Sequence, residues 1–587
     1  MKLSDNARKV LEARYLRRDD RGNVVEDPDE LCRRVARAIA GPEAQFGENA
    51  EVWEEKFYEL LDQLDFLPNS PTLMNAGTSA GQLSACFVLP VEDSLERIFD
   101  SLKLMALVQQ SGGGTGFSFS HLRPQGDPVS ITGGTASGPV SFMRVFDCAT
   151  ENIRHGGRRR GANMGILRVD HPDIEQFVAA KLDRRSLRNF NLSVAVTDSF
   201  MQAAATGDAY ALRHPRTGEV TRTLDAGELF ASIAQAAWET GDPGLIFLDA
   251  INRANPLAAL APIEATNPCG EVPLLPYESC NLGSINLSHM ARLSPTGATI
   301  DWTKLADTTR LAVRFLDNVI EQACWPAPQI AAMTRANRKI GLGVMGFAEL
   351  LILLGIPYAS ERAATIAEEL MGWIAEQALA ASEQLADERG VFPNWEQSRD
   401  AQSGRRVRHA TRTSVAPTGT ISILAGTSAS IEPLFGLVYR REAIGGQTLL
   451  EQNPLFSRHA SRLDLDSPEL TEYLAAHGSL AEFPDLPPST RDLFRTALEI
   501  SPVDHLRIQT AFQKHVDNAV SKTINLPHDC TPQQVADIYL RAWRAGLKGI
   551  TVYRYGSQAT QPLSLGAEES IDSLEHFASC DPGACKL

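Results

Sequence analysis

Apolar positions in the first sixty residues recur at helical spacing, in Leu31 to Ala40 and again in Val52 to Leu64, within an otherwise polar stretch. The pattern predicts an N-terminal helical segment over residues 1–60. From there to about Tyr555, short apolar runs alternate with helical stretches and glycine-rich turns, which predicts an α/β domain over 61–555. Val194-Ala195-Val196, Leu245 to Leu248 and Ile550 to Tyr553 are predicted strands, and Ala363 to Leu385 a long helix. The run from Ile340 to Tyr358 is apolar enough to suggest a membrane span. Four glycines, Glu349 and Pro357 interrupt it, however, and predict a buried strand followed by a short core helix. After Tyr555 the composition turns to Ser, Gln, Gly, Glu and Asp, predicting a flexible tail over 556–587.

Composition narrows the class. With 43% hydrophobic and 22% charged residues among 587, the chain reads as a soluble globular protein. Its net charge of −16 argues against a nucleic-acid partner, while Arg158-Arg159-Arg160 leaves room for a nucleotide. The polar N-terminus lacks the apolar core of a secretory signal. Nine cysteines without framework spacing fit a reducing compartment. A cytoplasmic enzyme without a membrane partner is expected.

The candidate chemistry centres on Asn267-Pro268-Cys269-Gly270-Glu271. Asn267, Cys269 and Glu271 follow at a spacing of two, which in extended chain puts amide, thiol and carboxylate on one face. Pro268 and Gly270 disfavour a helix there. The plainer reading is a turn with a buried thiol. Cys280 follows eleven residues on, Cys86 lies far upstream, and Cys580 and Cys585 close the chain. Pro417-Thr418-Gly419-Thr420-Ile421-Ser422 offers the hydroxyls and amides of a phosphate nest. Gly112 to Gly116 does not continue into a dinucleotide-binding fingerprint and reads as a tight turn. No lysine-bearing P-loop occurs.

With these motifs in one order, and with Leu67-Pro68-Asn69-Ser70-Pro71-Thr72-Leu73-Met74-Asn75-Ala76-Gly77 and Arg159-Arg160-Gly161-Ala162-Asn163-Met164-Gly165, the chain resembles ribonucleotide reductase catalytic subunits from about Leu3 to its end. The likeness is to the adenosylcobalamin-dependent class II. It implies a ten-stranded α/β barrel of two five-stranded halves, with a central finger loop. It also implies that Cys269 carries a thiyl radical, Glu271 acts as general base and Asn267 binds the sugar. By the same resemblance Cys86 and Cys280 form the reducing pair, and Cys580 and Cys585 relay electrons from a thioredoxin or glutaredoxin-type reductant. Substrate contacts are implied at Ser70, Thr72, Ala85, Cys86, Gly116 and Asn267, with phosphates on Pro417, Thr418, Gly419 and Thr420. A deoxynucleoside triphosphate effector at a homodimer interface is implied at Asp93, Ser94, Leu95 and Arg160, beside the Gly133-Gly134-Thr135 loop. It would couple to substrate choice through Lys181 to Asn191. Cys32, Cys148, Cys324 and Cys530 read as structural.

The radical source is where the classes diverge. A class I subunit, fed by a separate metalloprotein, carries adjacent tyrosines late in the barrel, whereas Tyr553 and Tyr555 are separated here. The glycyl-radical class has a C-terminal glycine loop that this chain lacks. A non-catalytic homologue would be expected to lose Cys269 or Glu271. Adenosylcobalamin is therefore the expected cofactor, by resemblance alone, and ribonucleoside diphosphates the expected substrates. The chain begins at the helical entry segment, without a nucleotide-binding cone, and ends on a bare Cys-x4-Cys. Overall on–off control by ATP and dATP is not expected.

Overall fold

The structure, a computed structural model, describes residues 1–129, 133–155, 159–295, 297–442, 448–463, 465, 467–484, 486–557 and 563–565. Helices Asp5–Arg14, Pro28–Ala40 and Ala50–Asp62 come first. Ser4, Asp27 and Asn49 cap them, each accepting a hydrogen bond from a first-turn amide. The helical spacing seen in the sequence becomes an apolar stripe: Leu31, Val35, Ala36 and Ile39 are fully buried.

Ten strands then form one mixed sheet. They are β1 (Phe66–Pro68), β2 (Cys86–Val88), β3 (Gly114–Ser118), β4 (Asn163–Arg168), β5 (Phe190–Val196), β6 (Gly244–Phe247), β7 (Ser279–Asn286), β8 (Ile340–Met345), β9 (Thr523–Leu526) and β10 (Gly549–Arg554). β2 to β6 run parallel, each to the next. β6 pairs antiparallel with β10, which is parallel to β9. β7 lies antiparallel to both β1 and β2, and parallel to β8 on its other edge. The extended segment 411–415 bridges what remains, since Leu342 pairs with Thr413 and Val415 with Val520 in parallel register. The predicted strand at 340 does lead into a short helix, Phe347–Leu353, and the long helix spans Glu361–Arg389. Among the described residues no helix is long and apolar enough to cross a membrane.

Side chains alternate along these strands, so one sheet serves two cores. Phe87, Leu167, Val194, Val196, Leu245 and Phe247 pack outward against helices such as Leu95–Gln110, Pro139–Asn152 and Pro532–Arg544. Cys86, Val88, Met164, Ile166, Ala195, Ile246, Cys280 and Leu282 point the other way and enclose Ala265, Val272 and Leu274. Those last three belong to a hairpin in which Ala265 pairs with Leu274 and Thr266 with Pro273. The hairpin is the finger, and the inward side chains surround it. Its fit is tight: a Cβ on Gly116 of β3 would stand 1.7 Å from the Thr266 carbonyl oxygen. Gly112 to Gly116 is thus not the single tight turn expected, because Gly114 already begins β3.

The N-terminal helices are fastened by buried charge. Glu43 accepts from Arg314 Nε at 2.8 Å and from Arg389 Nη2 at 2.7 Å. Arg389 also reaches Asp317 at 2.8 Å, beside Arg338, Arg408 and His409. Burial alone would push Asp317 up; its partners Arg338, His409 and Arg408 instead hold it well below the usual carboxylate range. Removing one partner of such a cluster costs about 3–5 kcal/mol.

Two glycines on the finger's path separate crowding from backbone conformation. Gly116→Ala forces a methyl into a backbone oxygen, and such overpacking costs about 1–3 kcal/mol or more. Gly270, at φ +82° with open space around it, should cost only about 1 kcal/mol on change to Ala. Thermal melting should therefore rank G116A below G270A and both below the unchanged protein. The opposite order would contradict the packing of the finger against β3.

Candidate active site

The finger's tip is a turn. The Gly270 amide donates to the Asn267 carbonyl at 3.1 Å, and the Asn267 amide to Val272 O at 3.2 Å. The extended run expected through Asn267, Cys269 and Glu271 is therefore interrupted, with Pro268 and Cys269 at the bend. The bend exposes Cys269 and leaves Asn267 and Glu271 buried on either side. Asn267 Oδ1 accepts from the Val272 amide at 3.0 Å, which fixes the amide so that Nδ2 donates to Cys86 Sγ at 3.1 Å. Glu271 Oε1 stands 4.0 Å from the same sulfur. The Glu271 carbonyl accepts from Ser414 Oγ and the Ala519 amide, both at 2.9 Å, while Asn191 Nδ2 holds the Pro268 carbonyl at 2.9 Å. The tip is clamped from opposite sides.

Cys86 and Cys280 meet. They face each other in the antiparallel register of β2 and β7, both pointing inward by strand alternation. Directly opposed residues have Cα atoms ~4.5–5.5 Å apart, within the span a disulfide bridges. Burial pushes both thiols up, and the nearby charge of Glu271 adds to the effect on each.

Two cavities adjoin the tip. The smaller, about 210 Å³, is bordered by Cys86, Asn267, Cys269 and Glu271 together with Ser70, Ala85 and Pro417 to Thr420. Thr72 and Gly116 do not border it. Thr72 Oγ1 is turned to the Leu83 carbonyl at 2.8 Å, and Gly116 is occupied by the finger's approach. The sequence reading missed Asn69, whose buried Nδ2 has no partner among the described residues, and also Arg14, Arg188 and Asn189. Asn69 sat inside a quoted motif and could have been found; Arg14 carried no signal. Arg188 and Asn189 lie in the 181–191 loop, anchored where Lys181 meets Asp242 at 2.6 Å.

The larger cavity, about 440 Å³, lies beyond Pro268, Cys269 and Gly270. Among the described residues, Ser422 Oγ, Gln509 Oε1 and Tyr553 OH border it and are buried without hydrogen-bond partners. Hydroxyls and an amide left open in this way fit a large ligand that carries amides and hydroxyls of its own.

Of the expected effector residues, Asp93, Ser94 and Leu95 border neither cavity. Asp93 is held by Arg123 Nε at 2.9 Å, Ser94 caps helix Leu95–Gln110, and Leu95 is 64% exposed. Arg160 lies in a short strand paired with 154–155, with its side chain outside the described residues. Cys580 and Cys585 also lie outside them. Leu563–Leu565, expected within the tail, is a strand paired with Tyr439–Arg441. Of the four cysteines read as structural, Cys32 and Cys530 are buried, while Cys148 and Cys324 are exposed.

Residues 1–81 match a family model described as the ribonucleotide reductase all-alpha domain, and residues 84–406 and 401–553 match its barrel domain. The chain is 53% identical to a vitamin B12-dependent ribonucleoside-diphosphate reductase of Mycobacterium tuberculosis, over 100% of this chain and 83% of that protein. It is 47% identical to one from Thermoplasma acidophilum, over 97% and 81%. Its fold is similar to that of an Actinobacillus ureae class Id ribonucleotide reductase alpha subunit, with TM-score 0.77, 24% identity and coverage of 94% and 97%.

Thiolate is the reactive form of cysteine, so a raised pKa means slow alkylation at neutral pH. At pH 8 iodoacetamide should label exposed Cys269 in the native protein and leave Cys86 and Cys280 unmodified. Labelling of the inner pair should rise about tenfold per pH unit to beyond pH 9. Peptide mass spectrometry checks this; inner-pair labelling as fast as that of Cys269 at pH 8 would contradict it.

Proposed function

The chain belongs to the ribonucleotide reductase family, and on that premise we propose that it reduces ribonucleoside diphosphates to 2′-deoxyribonucleotides by an adenosylcobalamin-dependent thiyl-radical route. The observation that carries the proposal is the position of Cys269. Its thiol stands between a small cavity bordered by the Asn267 amide, the Glu271 carboxylate and the Cys86 thiol and a larger one with open polar groups. A radical source and a substrate can flank one sulfur without sharing a site.

The chemistry that adenosylcobalamin supplies when bound is homolysis of a cobalt–carbon bond, which protein groups cannot provide. Pro268 to Gly270, Ser422, Gln509 and Tyr553 would line its place. Cys269, as thiyl, abstracts the 3′ hydrogen of the ribose and later returns it. Glu271 takes the 3′ hydroxyl proton as general base, and Asn267 hydrogen-bonds the sugar while water leaves C2′. Cys86 and Cys280 give up two electrons and two protons and become a disulfide, which balances the loss of one water. Ser70, Ala85 and the loop Pro417 to Thr420 hold the remainder of the substrate.

We read the barrel as two five-stranded parallel halves, β2 to β6 and β7, β8, 411–415, β9 and β10. The reading is supported by parallel pairing within each set and antiparallel pairing at the two junctions. A deoxynucleoside triphosphate effector at Asp93, Ser94, Leu95 and Arg160 belongs to the proposal, as does a homodimer. Leu95 and Phe99, 64% and 52% exposed on one helix, support an interface there. The Cys580–Cys585 pair would carry electrons from a thioredoxin or glutaredoxin-type protein in the cytoplasm, its approach rooted by the strand at 563–565.

Anaerobic assays with CDP and CTP test the whole. CDP should be reduced by this chain alone when adenosylcobalamin and a dithiol are present; a requirement for an iron or manganese subunit would overturn the reading. Cys269→Ser should abolish turnover and leave CDP affinity within about threefold, because the thiol carries hydrogen and makes no major binding contact. The double change Cys580→Ser, Cys585→Ser should stop thioredoxin-coupled turnover and spare most of the dithiothreitol-driven rate. Retention of the thioredoxin-coupled rate would exclude the relay.

A further inference from the structure

The N-terminal helical segment contributes to the smaller cavity directly. Helix Asp5–Arg14 starts on a Ser4 cap and buries Ala7, Val10 and Leu11. Packing so fixes its end that two consecutive residues each meet a hydroxyl bordering the cavity. Arg14 Nη1 donates to Thr420 Oγ1 at 2.7 Å, in the loop assigned to phosphate. Tyr15, fully buried, has its hydroxyl 2.8 Å from Ser70 Oγ. Both hydroxyl partners border the cavity, and so does Arg14 itself.

A nucleoside diphosphate brings close to three negative charges into a cavity whose nearby carboxylate, Glu271, repels them. The hydroxyls and amides of Pro417 to Thr420 bind phosphate oxygens without neutralising them. The side chains bordering the cavity include two cations, Arg14 and Arg188. Arg188 belongs to the 181–191 loop, whereas Arg14 is joined to the phosphate loop itself. A planar guanidinium with forked donors is suited to phosphate oxygens. We infer that Arg14 is a ligand of the substrate's terminal phosphate, so that the N-terminal segment completes the substrate site and favours diphosphates over nucleosides. The inference rests on the substrate assignment above and adds a residue and a segment to it.

The test compares CDP and cytidine binding by calorimetry, in the full-length holoenzyme, for the unchanged chain, R14Q, R14M and R14K. Losing a charged hydrogen bond of this kind weakens CDP by about 10–100-fold. Cytidine affinity should stay within about twofold, R14K should recover part of the loss, and kcat at saturating CDP should fall less than about threefold. R14M keeps the stem's packing and serves if R14Q fails to fold. CDP binding unchanged in whichever variant folds, or CDP and cytidine weakened equally, would overturn the inference. Failure of the unchanged chain to bind CDP would instead overturn the substrate assignment.

Discussion

The finger has to fit inside the sheet, and that demand governs the rest of the molecule. The Thr266 carbonyl lies where the β3 backbone leaves no room for a Cβ, so the hairpin is seated against bare main chain. Ser414 and Ala519 hold it from the far side. Once it is clamped there, the position of Cys269 is set to within a turn, and the interior is divided into two chambers with the thiol on the partition.

Burial does the corresponding work for the sulfurs. Strand alternation turns Cys86 and Cys280 inward, and the same low-polarity surroundings that keep solvent out raise their pKa values. A thiol that stays protonated is a poor nucleophile but an intact source of hydrogen, which suits the reducing role proposed for the pair. The cost of keeping charges in this interior falls elsewhere, on the Glu43–Arg314–Arg389–Asp317 cluster. There, charged groups from the N-terminal segment and the barrel satisfy one another.

Much of this was legible in the sequence, for physical reasons that differ by residue. The strands at 194–196, 245–247 and 550–553 and the helix at 361–389 announce themselves through local periodicity. The Asn267–Glu271 segment did so through residue type, although its spacing suggested extended chain. Pro268 at the second position of a turn and Gly270 in the left-handed region bend it instead. Thr72 was a substrate contact by resemblance alone, and its hydroxyl donates to the Leu83 carbonyl, a partner that no local pattern announces. The segment 411–415 pairs on both edges without becoming a formal strand, and no alternation in Thr411 to Val415 betrays that. Arg14 is invisible for a different reason: its partner, Thr420, lies 406 positions away, and no local pattern encodes such a distance.

The opposition of Cys86 and Cys280 has a consequence for stability as well as chemistry. The two strands that carry them touch through only two residue pairs. When the thiols join, a covalent tie appears at this brief contact and closes a loop of roughly 195 residues; by chain entropy that restrains the unfolded ensemble by about 5 kcal/mol. Each catalytic cycle would therefore carry the protein between a looser, charged state and a stiffer, spent one. Re-reduction would do more than restore electrons: it would unfasten the sheet at one of its two brief antiparallel junctions, leaving the molecule at its least stable when it is ready to react.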